Sequence, residues 1–470
     1  MVESEIPPTA VIEPEASESL IQPVPQNDAA PGEGAESEPA RVEPPVPERV
    51  KLQDYQLQSL AQLYDLGVAL GLRVGGSRSK HQLVFEILAY YSRRGTIIEA
   101  TGILEIMKEG TGMLRDERFH YMPYPDDIFV PPGIMKRYPV RPAQQMTVTV
   151  RGPRDNRERN LVVDEVLQIE GVPADQWEAP THFDKLTALF PVDRIVLENR
   201  RTKSVSSRCL DIIAPLGKGQ RGLICAPPRG GKTILLKDIA QSIQENHPEI
   251  ELMILLLDER PEEVTDFYET VVHNATCHVT ASTFDEPAER HQQVAEIVME
   301  RAKRLVELKK DVVILLDSLT RLSRGYNNCV RGKGPLGSGG MDQRALQRAR
   351  KFFGTARKVE EGGSLTVLAS ALIETESKMD DVIFEEFKGS GNMEIHLDRE
   401  LVERRIYPAI NISKTGTRKD DLLYHPDEFR RISAIRKQLA QLPAGEAMEV
   451  LTKHIRHTQN NAELLLTGLR

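Results

Sequence analysis

The chain has 470 residues, 40% of them hydrophobic, and its 61 Lys and Arg against 70 Asp and Glu give a net charge of −9. That length exceeds what one hydrophobic core can use, so several domains are expected, and the acidic balance excludes a uniformly basic coat for nucleic acid. The four dispersed cysteines, Cys209, Cys225, Cys277 and Cys329, form no C-x-x-C pair, which argues against a zinc site or a disulfide framework. With no apolar run of roughly 18 to 20 residues and no basic, apolar leader, a soluble protein of a reducing cytoplasm is expected, with no membrane partner.

Residues 1–50 are rich in Pro, Glu, Ala and Ser, carry much of the negative excess and contain almost no aromatics. Such a composition cannot bury enough apolar surface to offset chain entropy, so a disordered acidic extension is expected. It reads either as a tolerated extension or as a tail that competes with nucleic acid for basic surfaces or recruits a partner. In 51–97, Leu57, Leu60, Leu63, Leu66 and Leu70, then Leu83, Ile87, Leu88 and Tyr91, recur at helical spacing around breaks at Gly71 and Gly75-Gly76. This predicts a small helical bundle. Arg93 and Arg94 leave basic surface at its end, with ordinary solvated helix faces as the alternative.

The period changes in 98–170, where apolar runs at 102–106, 127–130, 146–150 and 161–163 between Gly and Pro turns predict a small β-barrel. A connector, 171–208, carries Pro180, Pro191 and the charged run 198–203. In 209–470 strands and helices alternate up to about Pro408, predicting a parallel sheet covered on both faces, followed by helices from Pro426 onward. Within it, Arg301-Ala302-Lys303-Arg304-Leu305-Val306 reads as part of a helix whose charges are solvated.

Apolar Leu223-Ile224-Cys225 runs into Ala226-Pro227-Pro228-Arg229-Gly230-Gly231-Lys232-Thr233, and residues 234–240 leave it at helical spacing. Strand, Gly-rich loop and helix in that order form a phosphate-binding loop. Its backbone N–H groups turn onto phosphate oxygens, Lys232 adds a charge for the β and γ phosphates, and the Thr233 hydroxyl can ligate Mg²⁺. Ala226 replaces the first glycine of the pattern, so by itself the octapeptide also suits an ordinary Gly-rich turn. Two apolar runs decide between these readings: 252–257, followed by Asp258-Glu259-Arg260, and 312–316, followed by Asp317. Both read as buried parallel strands whose carboxyl ends face the loop. Asp317 is then placed to hold Mg²⁺ and Glu259 to orient and deprotonate a water, with helix capping as the alternative for each carboxylate. Beyond them, 327–340 is too Gly-rich to pack and carries Arg331 and Lys333, which predicts a mobile loop.

The blocks GQRGLICAPPRGGKT, LLDERPEEVTDF, ASTFDEPAERH, ILLDSLTRLSRGYN, EEFKGSGNMEIHL and SKTGTRKDDLL together resemble the bacterial transcription termination factor Rho family over about residues 54–470. The resemblance implies a multidomain chain: helical subdomain, OB-type β-barrel as primary RNA site, and RecA-like α/β P-loop ATPase domain with a helical C-terminus. It further implies a homohexameric ring that uses ATP to translocate along single-stranded RNA, unwind RNA–DNA hybrid and displace the RNA polymerase elongation complex. Nucleotide contacts are implied at Pro228, Arg229, Gly230, Gly231, Lys232, Thr233 and Ile234, with Tyr407 stacked on adenine. Arg405 and Arg418 are similar to arginines that reach across a subunit interface to the transferred phosphoryl group. RNA contacts are implied at Arg115, Asp127, Phe129 and Glu158 in the barrel, at Arg331 and Lys333 in one pore loop, and at Lys378 in a second, 377–380.

The barrel departs from the family pattern. Gly110-Thr111-Gly112-Met113 stands where Gly-Phe-Gly-Phe is usual, and Asn160 stands where a third aromatic is expected. Each absent stacking platform is worth about 1 to 3 kcal/mol. Tyr121, Tyr124 and Tyr138 are candidate substitutes, with core or turn tyrosines as the alternative. The leading functional reading is an ATP-driven RNA translocase. The alternatives are an RNA-binding ring that ATP organises without productive translocation, and a rotary ATPase subunit. Intact Lys232, Glu259, Asp317 and Arg418 favour the enzyme, and a rotary subunit has no need of the barrel or the pore-loop blocks.

Overall fold

A computed structural model of the chain describes residues 46–469 apart from 77, 108–109, 156–157, 273 and 331–336. The acidic segment 1–45 and the loop cations Arg331 and Lys333 lie outside the described residues.

Three short helices come first, Leu52–Leu57, Leu60–Ala69 and Lys80–Arg93. Ser59 and Ser79 cap the second and third by accepting from the backbone N–H of Gln62 (3.3 Å) and Gln82 (3.2 Å), donors that a helix cannot satisfy internally. Their apolar stripe, with Leu63, Leu83, Ile87 and Leu88, shares one buried cluster with Ile98, Leu104, Leu114, Ile128 and Val148 of the strands that follow. Those strands, Ile97–Ile106, Gly112–Arg115, Ile128–Val130, Leu161–Ile169 and Gln145–Arg151, pair in that order. The last returns to the first from Ile98↔Val150 to Ile103↔Gln145, which closes a five-stranded barrel. Arg49–Lys51 extends the sheet in parallel against Ile97–Glu99, across the 50/51 division read from the sequence. The helix Val205–Ile213 likewise spans the 208/209 division.

The second sheet runs Cys277–Thr283, Glu251–Glu259, Asp311–Asp317, Ser364–Leu372, Arg221–Ala226, Met393–His396, all parallel, and ends on the short antiparallel Gly416–Thr417. Both faces are covered, so its strands are apolar throughout rather than alternating with polar residues. Along Arg221–Ala226, Leu223 and Cys225 enter one core, with helices Ala288–Glu307, Leu319–Cys329 and Gln343–Gly354. Ile224 and Ala226 enter the other, with Lys232–Asn246, Pro261–Val271 and the C-terminal helices Pro426–Leu439, Ala444–His457 and Asn461–Thr467.

One expectation is corrected here. Arg301, Lys303 and Arg304 are buried rather than solvated, because the barrel and the connector cover the helix Ala288–Glu307. Arg301 Nη1 donates to Glu170 Oε1 (2.6 Å), Arg304 pairs with Glu307 (2.9 Å), and Glu307 also accepts from Arg141 (2.8 Å) and the Phe183 N–H (2.8 Å). Buried charges persist only when paired in this way. No helix among the described residues is long and apolar enough to cross a membrane.

Candidate nucleotide and RNA sites

The loop after strand Arg221–Ala226 owes its shape to local geometry. Ala226 is a strand residue paired with Leu372, and its φ is not positive, so a glycine is not required there. Gly230 is required, since an added Cβ would lie 2.9 Å from the Pro227 carbonyl oxygen, and Gly231 opens the helix Lys232–Asn246 with φ 86°. Pro228, Arg229 and Ile234 are exposed on this loop and its first turn, beside Thr233, and Arg229 also has positive φ (62°).

Lys232 Nζ donates to Asp317 Oδ1 and to Glu259 Oε1 (3.2 Å), and Ser370 Oγ donates to Asp317 Oδ1 (2.9 Å). The register of strand Glu251–Glu259 shifts between Leu257 and Glu259, and Asp258 takes a left-handed φ of 56°. This irregularity turns Glu259 inward to 3% exposure, a typical use of a bulge next to a site. Burial, and then the neighbouring Asp317 charge, raises the Glu259 carboxyl above the usual range, against the opposing pull of Lys232 and Arg321. Burial alone would lower the Lys232 ammonium, but Asp317 and Glu259 together hold it above its ordinary value.

Arg321 was missed from the sequence. It sits in the first turn of the helix Leu319–Cys329, capped by Ser318, and pairs with Asp258 (3.4 Å) and Glu259 (3.6 Å). The available signal was its spacing four residues past Asp317. On the same helix Arg324 grips Asp380 with two hydrogen bonds (2.8 and 2.6 Å), fixing the helix Lys378–Phe387. Lys378, exposed at that helix's start, lies against the end of the Gly-rich loop, where a Cβ on Gly339 would meet the Lys378 carbonyl oxygen at 2.8 Å.

Tyr407 and Arg405 lie on the excursion between Leu397 and Ile410, a bridged pair just past the strand Met393–His396 at the phosphate-loop end of the sheet. Tyr407 is 50% exposed at that edge. Arg418 is elsewhere. It follows Thr417, which pairs with Met393 at the opposite end, and donates to the Gly389 carbonyl (3.3 Å). Gly222 pairs with Met393, so Arg418 starts four strand residues, roughly 13 Å, from the loop of its own chain.

On the barrel, Glu105, Met113 and Phe129 stand side by side across three strands. Arg115 is buried beneath them, donating to Glu105 Oε2 (2.7 Å) and paired with Asp127. Burial raises the Asp127 carboxyl to about 6 despite that arginine. Glu158, on the loop before Leu161–Ile169, is held by Arg151 (2.7 and 2.8 Å), which brings its carboxyl down to about 2. Of the candidate substitute tyrosines, Tyr121 is 1% exposed, Tyr124 stacks on His81 at 3.6 Å, and Tyr138 packs partly buried against the barrel core.

Two family models match the chain: "Rho termination factor, RNA-binding domain" over residues 100–175, and "ATP synthase alpha/beta family, nucleotide-binding domain" over 206–416. The transcription termination factor Rho of Akkermansia muciniphila is 52% identical over 426 residues, covering 91% of this chain and 89% of that protein. The chain belongs to the Rho family. Rho of Aquifex aeolicus is 49% identical, covering 88% of this chain and 94% of its own, and Rho of Pseudomonas aeruginosa 45%, covering 88% and 98%. Among solved structures, a prototypical type III secretion ATPase shares the fold with a TM-score of 0.52 at 22% identity, over 60% of this chain and 86% of that one. The Rho RNA-binding model covers the barrel, so an RNA-binding and a nucleotide-binding domain occur in one chain, while the helices from Leu52 to Arg93 lie outside both matched regions.

Proposed function

We propose that this chain is an RNA-dependent ATPase that works as a homohexameric ring, translocating along nascent single-stranded RNA and displacing the RNA polymerase elongation complex in the cytoplasm. The observation that carries the reading is the cluster of Lys232, Glu259 and Asp317 at the carboxyl edge of a parallel sheet, in a chain that also holds an RNA-binding barrel. ATP seats its phosphates on the N–H groups of residues 228–233, with its adenine against Tyr407. Lys232 is drawn from its carboxylate partners to the β and γ phosphates. Thr233 and Asp317 would hold a Mg²⁺ ion, which would supply positive charge against the phosphate oxygens.

Glu259 accepts the proton of a water whose oxygen bonds the γ phosphorus as the bond to the ADP oxygen breaks. A carboxyl already raised toward neutrality suits that transfer. Arg418 lies at the wrong end of its own sheet, so the charge it contributes is supplied to the neighbouring subunit, which makes the ring a condition of turnover. RNA bound at the barrel face passes to the pore loops through Arg331, Lys333 and Lys378. The test is ATP turnover by the full chain with and without single-stranded RNA, followed by transcript release from a stalled elongation complex. RNA-stimulated turnover with release is expected. Stimulated turnover without release would instead favour the ring that ATP organises without productive movement, and no stimulation would overturn the proposal.

A further inference from the structure

Away from both sites, a cleft of about 640 Å³ lies where the barrel meets the nucleotide-binding domain. Two helix faces form its walls. Ala288–Glu307 presents Glu289, Gln292 and Glu296 at helical spacing, and Gln343–Gly354 presents Arg348, Lys351 and Phe352. The helix Leu319–Cys329 packs against both and supplies Tyr326, while Ile106 and Pro142 line the barrel side. Barrel and helix are tied at its edge, where Gln293 Nε2 donates to Glu105 Oε1 (2.6 Å). The charges in the cleft do not neutralise one another. Glu300 pairs with Lys303 (2.6 Å), but the exposed side chains of Glu289, Arg348 and Lys351 make no hydrogen bond or ion pair among the described residues. Glu296, also exposed, accepts only from Gln292 (3.1 Å) and feels Arg348 and Lys351 from beyond ion-pair distance. Tyr326 is 3% exposed, yet its hydroxyl has no hydrogen-bond partner among the described residues, although a buried tyrosine hydroxyl usually finds one.

Two carboxylates and two cations without ion pairs thus share one cleft with the buried apolar side chains of Ile297 and Phe352. A simple anion attracted by Arg348 and Lys351 is repelled by Glu289 and Glu296, and a simple cation meets the reverse, so neither suits both walls. A molecule with one positive and one negative end satisfies both at once, and an apolar body between the ends covers the apolar base. Interdomain clefts of this size, with a few convergent polar groups over apolar side chains, are the usual form of a small-ligand site. We propose that this cleft binds an apolar zwitterion, an amino acid or a short peptide. Its ammonium lies against Glu289 and Glu296, its carboxylate against Arg348 and Lys351, an acceptor oxygen on the Tyr326 hydroxyl, and its apolar side chain on Phe352. The ligand then rests on the helix that also carries Arg321, the partner of Glu259.

Calorimetric titration of the full chain, without RNA, tests this with the dipeptide Leu-Phe, phenylalanine, phenethylamine as the cation alone and 3-phenylpropanoate as the anion alone. Leu-Phe should bind with a Kd on the order of 10 to 100 µM, the usual efficiency for a ligand of about 20 heavy atoms. Each single-charge probe should bind at least about tenfold more weakly than the better zwitterion. Tighter binding of Leu-Phe than of phenylalanine identifies a peptide and the reverse a free amino acid, and either supports the cleft. Glu289→Gln with Glu296→Gln should weaken Leu-Phe about tenfold while tightening 3-phenylpropanoate, because the repulsion of its carboxylate is gone. Arg348→Ala with Lys351→Ala should weaken Leu-Phe similarly while tightening phenethylamine. Tyr326→Phe should weaken Leu-Phe about threefold, one hydrogen bond's worth. All affinities should persist in saturating ADP, and competition with ADP would overturn the proposal by moving the ligand to the nucleotide site. No binding of either zwitterion, single-charge probes as tight as the zwitterions, or Leu-Phe affinity untouched by both double variants would each overturn it. Parallel weakening of every probe in both double variants would overturn it as well, by reducing the four charges to a structural role.

Discussion

At the nucleotide site, Lys232, Glu259 and Asp317 form one hydrogen-bonded cluster. On the barrel face, Arg115, Glu105 and Asp127 form a similarly closed network, yet Thr111, Met113 and Asn160 stand where stacking aromatics are usual. The two regions differ in what their chemistry tolerates. Charge stabilisation at a transferred phosphoryl group acts at one point, and removing one donor costs orders of magnitude. Stacking is spread over independent platforms, so a lost ring lowers affinity by one increment and can be replaced nearby.

That contrast can be broken in several places. The largest effect is expected from Lys232→Ala, which should reduce RNA-stimulated ATP hydrolysis to background while RNA affinity without nucleotide stays within about twofold, because the two sites use separate elements. Parallel loss of both activities would abolish the distinction. Arg418→Ala should lower turnover by about 10³ to 10⁵ and leave ATP binding largely intact, since its contribution is realised in the transition state. Turnover within about threefold of the parent, under 1 kcal/mol, would remove Arg418 from the mechanism.

Glu259 gives a pH test. A base must be ionised to act, and burial raises this carboxyl, so the rate should rise with pH through a value above the ordinary carboxylate range. Glu259→Gln should lower the rate by about 10² or more and remove that limb. A parent profile flat from pH 5 to 8 would argue for a different base. Smaller effects belong to the barrel. Thr111→Phe with Met113→Phe should tighten single-stranded RNA binding by about fivefold or more, corresponding to one restored platform. Filter binding at fixed salt would show it, and no gain would mean that the barrel face has been reorganised around other contacts.

The smallest effect concerns the contact between the two regions. His278 on the nucleotide-binding sheet pairs with Glu117 of the barrel segment (3.3 Å) and with Glu251 (3.7 Å). Burial would lower its pKa, but the two carboxylates outweigh that and raise it to about 9. A histidine raised on folding stabilises fully below its unfolded value of about 6.5, and the contribution is lost as pH rises through the folded value. His278→Gln should therefore lower Tm by about 2 °C at pH 6 and by almost nothing near pH 10. An equal drop at both pH values would assign the effect to packing instead.

The local elements of both regions were legible because they depend on short-range chemistry. The Gly230-Gly231 turn, the apolar strands ending at Glu259 and Asp317, and the change of period after Arg93 are each written within a few neighbouring residues. What sequence could not reach was which charges meet. Arg301 and Arg304 look like a solvated helix face until Glu170 and Glu307 are folded against them. Arg321 becomes part of the nucleotide site only because Ser318 starts its helix beside the bulge at Asp258. Arg405 and Arg418, 13 positions apart, separate to opposite ends of one strand pair because the chain turns between Leu397 and Ile410 and then runs back antiparallel to Met393. Secondary structure follows from local periodicity and backbone freedom, so the amino-acid order alone determined it. The pairing of distant charges depends on chain path and burial, and that only the tertiary structure decided.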